Sequence, residues 1–128
     1  MDSLNPLYKE VLEWAQTDED IPEQDWDLAL INSFSVAEFD RLIADTSIRE
    51  GARSFFIGCL YTLAGDAVRT NDEELINALE AYCKEPASQN MYLKLWQTRV
   101  LKLIRNPASY EYAYWGDNPS RFVHEGGL

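Results

Sequence analysis

Apolar residues recur along this chain at intervals of three and four, the period of helices that bury one face. Asn5-Pro6 is a start signal, with Asn as N-cap and Pro at the first helical position. Leu7, Tyr8, Val11, Leu12 and Trp14-Ala15 then share a face as far as Gln16. A polar break over residues 17–20 precedes a short second helix, expected from Pro22 through Trp26, Ala29 and Leu30 to Asn32. Ser35-Val-Ala-Glu38 has the form of a capping box, in which the serine oxygen takes a free backbone N–H and the glutamate reaches back. It opens a third helix with Phe39, Leu42 and Ile43 inward, ending near Asp45.

Ser47-Ile-Arg-Glu50 repeats that pattern and is expected to open the longest helix, over 48–69. Phe55, Phe56, Cys59, Leu60, Leu63, Ala64 and Val68 supply its apolar positions. Gly58, Ala64, Gly65 and Ala67 are small enough to let a neighbouring helix approach closely. Asn71-Asp-Glu-Glu74 caps a fifth helix with Leu75, Ile76, Leu79 and Tyr82-Cys83 inward, stopped before Pro86. After a loop over 86–90, a sixth helix over 89–105 buries Tyr92, Leu93, Trp96, Val100, Leu103 and Ile104. Arg99, Lys102 and Arg105 favour its negative end, and Pro107 stops it. Tyr110-Glu-Tyr-Ala-Tyr114 reads as a short extended piece or a tail, and Gly, Pro, Asp and Asn dominate beyond it. The expectation is an all-α fold: a single-domain bundle of five or six helices over 1–128, its core made by the last three. Residues 106–128 would form an aromatic, partly irregular C-terminal tail.

Composition supports a folded domain, because 46% of the 128 residues are apolar and 12% aromatic. The longest apolar stretch, 55–68, is interrupted by Thr62 and Asp66, too short for a membrane span. With no basic head at Met-Asp-Ser-Leu-Asn-Pro, the expectation is a soluble cytoplasmic protein without membrane contact. Cys59 and Cys83 lie in apolar helical patterns and read as small buried hydrophobes.

Charge changes the picture most. Residues 1–50 hold 13 acids against 3 bases, and residues 51–128 hold 9 against 8, so nearly all of the net −11 lies in the first segment. Ten carboxylates stand between Lys9 and Arg41 with no base among them, which leaves an exposed helix without oppositely charged neighbours. Such a field weakens the compact state and draws cationic partners from a distance. Asp18, Glu19, Asp20, Glu23, Asp25 and Asp27 form its densest part and are the first candidate partner-binding residues. The interleaved aromatics offer large anchors, although Trp14 and Trp26 read as core. Tyr110, Tyr112, Tyr114 and Trp115 form a second candidate group. The alternative for them is a strap packed back over the bundle.

Chemistry finds less support. Residues 18–29 match a calcium loop only in acid density: Pro22 takes the fifth position, the sixth is not glycine, and Ala29 takes the twelfth. His124, the single histidine, lies in a glycine-rich tail, so no nucleophile–histidine arrangement is expected. Neither Gly116 nor Gly126-Gly127 makes a phosphate loop. No metal, cofactor or catalytic residue is expected, and the acidity opposes direct contact with nucleic acid. The chain reads as a binding protein, not an enzyme.

In size, charge and helicity the chain resembles the small acidic immunity proteins that bacteria pair with cationic nuclease toxins. Phe34-Ser-Val-Ala-Glu-Phe39 and Asn106-Pro-Ala-Ser-Tyr-Glu-Tyr-Ala-Tyr114 look like two segments of the colicin DNase immunity family. There a helix opens with an aromatic–Ser/Thr–x–Ala–Glu–Phe pattern, and paired tyrosines near a short helix contact the nuclease. The segments stand much further apart here. The resemblance implies a basic toxin domain as partner, with Tyr112 and Tyr114 as contacts. Two rivals remain open: an acidic mimic of DNA that occupies a nucleic-acid-binding protein, and a helical adaptor or regulatory subunit.

Overall fold

The structure, a computed structural model, describes residues 2–17, 20–22, 25–84, 91–112 and 114–115. In chain order the helices are α1 (Tyr8–Gln16), α2 (Trp26–Ser33), α3 (Val36–Ala44), α4 (Glu50–Arg69), α5 (Glu73–Lys84) and α6 (Met91–Arg105). A 3-10 turn follows at Pro107–Ser109. Among the described residues there is no strand, and the chain forms a single all-α domain.

α4 dictates the architecture. Its apolar and small residues are not confined to one stripe, and every residue from Phe56 to Gly65 is buried. A helix apolar on all sides has to be covered on all sides. α1, α2, α3, α5 and α6 each pack on it, and α5 pairs with α6. The expected core of the last three helices is therefore too narrow. Trp14, Trp26, Phe34 and Phe39 from the first forty residues belong to the same cluster as Leu93, Trp96 and Trp115.

Helix ends show where local signals prevail. At α3 both halves of the capping box form: Glu38 N–H donates to Ser35 Oγ at 3.2 Å, and Ser35 N–H to Glu38 Oε1 at 3.0 Å. The second box does not form. Asp45 Oδ1 accepts from both the N–H and the hydroxyl of Ser47, at 2.8 and 2.6 Å, so α4 opens at Glu50 behind Arg49 instead. α1 begins at Tyr8, because Glu10 accepts the Leu7 N–H at 3.0 Å and Asn5 N–H turns back to Asp2. α2 begins at Trp26, four residues beyond Pro22, behind Asp25 in the left-handed region at φ 60°.

Three residues, Thr70, Asn71 and Asp72, join α4 to α5. Asn71 adopts φ 54°, which asparagine tolerates, and its N–H reaches Val68 O while Asp72 N–H reaches Ala67 O. Asp72 Oδ1 then accepts from Leu75 N–H, starting α5. Arg53 closes the end of α3: its mostly buried guanidinium group donates to Ile43 O at 2.9 Å and Asp45 O at 2.8 Å. The expected loop over 86–90 and the chain from 116 onward, with Gly116, His124 and Gly126-Gly127, lie outside the described residues.

Candidate functional site

Two indoles organise the acidic segment. Trp14 of α1 and Trp26 of α2 are buried edge-to-face, ring centroids 4.8 Å apart. Trp26 Nε1 donates to Ser3 O at 3.0 Å, and Trp14 Nε1 donates to Asp20 O at 3.1 Å. A buried indole N–H needs an acceptor. Here each need fastens a loop of the acidic segment to the core. Both tryptophans are therefore core, as expected, and neither is a surface anchor.

Asp20 and Asp25 are exposed, while Asp27 is half-buried in the first turn of α2. None of the three forms an ion pair with a described residue. Of the arginines flanking the segment, Arg41 lies over the Tyr8 ring and Arg49 over the Trp14 ring, each 5.0 Å from the centroid. Asp18, Glu19 and Glu23 lie outside the described residues.

Apolar side chains stand exposed in the same stretch: Leu4 at 64%, Ile21 at 44% and Leu28 at 44%. Ser3 and Asp20, next in sequence to Leu4 and Ile21, are the acceptors of the two indole bonds, and Leu28 lies two residues beyond the Trp26 donor. Leu7, expected on the buried face of α1, is exposed because it precedes the helix. The sequence pattern did not mark these side chains as exposed. An apolar residue beside acids reads by default as inward-facing, and only its departure from helical spacing marks it otherwise.

Burial pushes the Asp27 carboxyl pKa up, and the Asp25 and Asp66 carboxylates push the same way; backbone N–H groups of Leu28 and Asp27 oppose them. Asp66 belongs to α4, and Asp27 also acts on Cys59, two turns earlier on that helix. α2 thus presents its first turn to the Cys59–Asp66 side of α4. Asp66 also faces the C-terminal tyrosines. Tyr110 is raised by burial and influenced by Arg69, Asp66 and Tyr112 in that order, and Arg69 pairs with Asp66 at 3.5 Å. The Asp66 charge therefore acts on both candidate groups, more than eighty residues apart in sequence. Its interruption of an apolar run was the signal for it.

The C-terminal segment is a strap with a helical turn, not an extended piece. Tyr114 N–H and Trp115 N–H both donate to Glu111 O, at 3.1 and 2.9 Å. Trp115 is buried with its ring 5.3 Å from Tyr61, so it seals the bundle and is withdrawn from the candidate contact surface. Tyr114 is half-buried beneath Arg99, which also donates to Tyr61 OH at 2.9 Å. Tyr110 is half-buried too, whereas Tyr112 is 64% exposed. Of the four aromatics, Tyr112 is the one presented outward.

Both thiols are free and buried, and burial pushes Cys83 up to about 12 and Cys59 well above its ordinary value. Neither is a nucleophile at neutral pH. No group of three or more metal-ligating side chains occurs among the described residues, and no helix among them is long and apolar enough to cross a membrane. No protein-family model, curated protein or solved structure matches the chain.

The Asp27 shift makes a prediction. Its folded pKa is raised, so the folded state holds the proton more tightly than the unfolded chain does. The ionised carboxyl consequently weakens the fold. That penalty is absent below the unfolded value, about 3.9, and grows as pH rises through the folded one. Asp27→Asn keeps a side-chain acceptor and removes the charge. Thermal melts from pH 3 to 8 should show the variant melting above wild type at pH 7 and the gap closing below about pH 4. A variant that melts at or below wild type at pH 7 would contradict it.

Proposed function

We propose that this is a non-enzymatic binding protein that neutralises a basic protein partner. The nearest description is an immunity protein that masks the active or substrate-binding surface of a cationic nuclease toxin in the cytoplasm. One observation carries the reading: nearly the whole net charge lies in the first fifty residues, where Asp20, Asp25 and Asp27 stand without ion pairs to described residues beside exposed Leu4, Ile21 and Leu28. The carboxylates steer the encounter, and the apolar side chains, with Tyr112, slow dissociation. Tryptophans have no part in the contact. Apolar anchors among the acids favour a protein surface over mimicry of DNA, whose phosphates carry none.

Affinity capture of the tagged protein from its host, at low and high salt, identifies the partner. One strongly basic nuclease or toxin domain supports the reading, and co-expression should then protect cells from it. A general DNA-binding protein would favour the mimic, and a neutral partner held through high salt the adaptor. With the basic partner in hand, Asp20→Lys combined with Asp25→Asn should slow association about tenfold at low salt and flatten its salt dependence. Asn is chosen at position 25 because it tolerates the left-handed backbone there. An unchanged association rate would reduce the acidic segment to a solvated face.

A further inference from the structure

α3 and α5 both pack on α4 but make little contact with one another, and a pocket of about 260 Å³ remains between them. Val36, Ala37, Leu75, Ala78, Leu79 and the ring of Tyr82 line it. The four α5 residues fall at the i, i+3, i+4, i+7 positions of one stripe, and the two alanines fill little of the space.

The rim is acidic, and each carboxylate is fixed by a residue of the pocket wall. Ser35, which completes the lining, donates from its N–H to Glu38 Oε1 at 3.0 Å. Tyr82 OH donates to Asp40 Oδ2 at 3.2 Å, and Leu75 N–H donates to Asp72 Oδ1 at 3.2 Å. No base belongs to the lining.

We propose that this pocket is a socket for one large apolar side chain of a basic protein segment, whose neighbouring lysines or arginines meet Glu38, Asp40 and Asp72. The volume lies below the roughly 300–1,000 Å³ of small-molecule sites. Its walls also lack the polar groups that orient a small ligand. An apolar anchor in a pocket, ringed by complementary charge, is how protein contacts concentrate their binding energy. The inference rests on the proposed function for its class of partner, a basic protein, and assigns it a contact on a different face.

Display selection of random 15-residue peptides against the full chain tests it, run in parallel on Ala78→Trp and on Asp20→Lys/Asp25→Asn. Ala78 is exposed, so tryptophan there fills the pocket without entering the core. The expected peptides carry Leu, Ile, Met or Phe within one turn of two or more Lys or Arg. They should be enriched on wild type and on the Asp20/Asp25 variant, and lost on Ala78→Trp. Persistence on the Asp20/Asp25 variant makes the socket independent of the N-terminal face. The combined Glu38→Gln, Asp40→Asn and Asp72→Asn variant keeps the local hydrogen bonds and should weaken the selected peptides at least tenfold. The proposal is overturned if no enriched peptide is sensitive to Ala78→Trp, or if the sensitive ones lack bases. It is equally overturned if hexylammonium alone competes as well as the peptide, which would assign the pocket to small cationic amphiphiles.

Discussion

Trp26→Ala is expected to cost about 3–5 kcal/mol of folding stability, the range for deleting a large aromatic side chain from a core. The indole is fully buried, edge-on to Trp14 and stacked on Phe55 with ring centroids 5.7 Å apart and planes at 18°. Its loss opens a cavity where α1, α2 and α4 meet, and α4, covered by five helices, has little room to collapse into it. For a chain of this size the melting temperature should fall by roughly 10–20 °C. Trp26→Phe separates packing from tethering. It keeps most of the ring and loses the donor to Ser3 O, a net effect of about 1 kcal/mol. That variant should remain folded while amide exchange speeds up at Asn5, whose N–H closes a turn onto Asp2 around Ser3. Urea titrations followed by far-UV circular dichroism give the first number and hydrogen exchange the second. A Trp26→Ala protein within 1 kcal/mol of wild type would mean that the indole pair does not hold this corner together.

The same corner shows what the amino-acid pattern reveals and what it conceals. The helices themselves are legible: α3 follows from apolar period and cap, because both signals are local and agree, and α5 and α6 follow from apolar period. Starts fail where a second side chain competes for the same donor. Ser47 has the spacing of a capping serine, but Asp45 lies two residues away and takes its N–H and hydroxyl. Asn5-Pro6 has the right identities, but the glutamate that reaches back, Glu10, meets Leu7 instead. No periodicity rule ranks such competitors, since their outcome depends on where the next element docks.

The candidate site divides in the same manner. Charge is additive along a sequence, so the acidic segment is visible without a fold. Which apolar residues stand among the acids is not, because exposure is a property of packing. Trp14, Trp26 and Trp115 have the side chains of hot-spot anchors and are interior, while Leu4, Ile21 and Leu28 are outside. That the Asp66 charge acts on both Asp27 and Tyr110 is likewise a consequence of α2 and the strap both lying against α4.

The strap supplies the second large prediction, in which one substitution changes sign with its background. A methyl group on Gly65 would sit 2.8 Å from Trp115 Cβ and 3.1 Å from Tyr110 Cε2. Small residues on α4 suggest room for another helix, but at Gly65 the neighbour is this strap. α4 cannot withdraw, being packed on every side, so the strap has to yield. Gly65→Ala should therefore cost about 1–3 kcal/mol through overpacking. Trp115→Gly alone should cost about 3–5 kcal/mol or more, since that ring is buried against Tyr61. With Trp115 cut back to glycine, its Cβ included, the remaining close neighbour is the half-buried Tyr110 ring, which can rotate away. Alanine at position 65 then keeps only its advantage over glycine inside a helix, about 1 kcal/mol. Gly65→Ala should thus destabilise the wild-type protein and stabilise the Trp115→Gly protein, a coupling of several kcal/mol in a double-mutant cycle. Additive effects would show that the strap is not seated on Gly65. The outcome bears on binding as well, because seating Trp115 inward is what leaves Tyr112 facing out. A strap displaced by Gly65→Ala should lose the Tyr112 contribution to partner residence time and leave the acid-driven association rate intact.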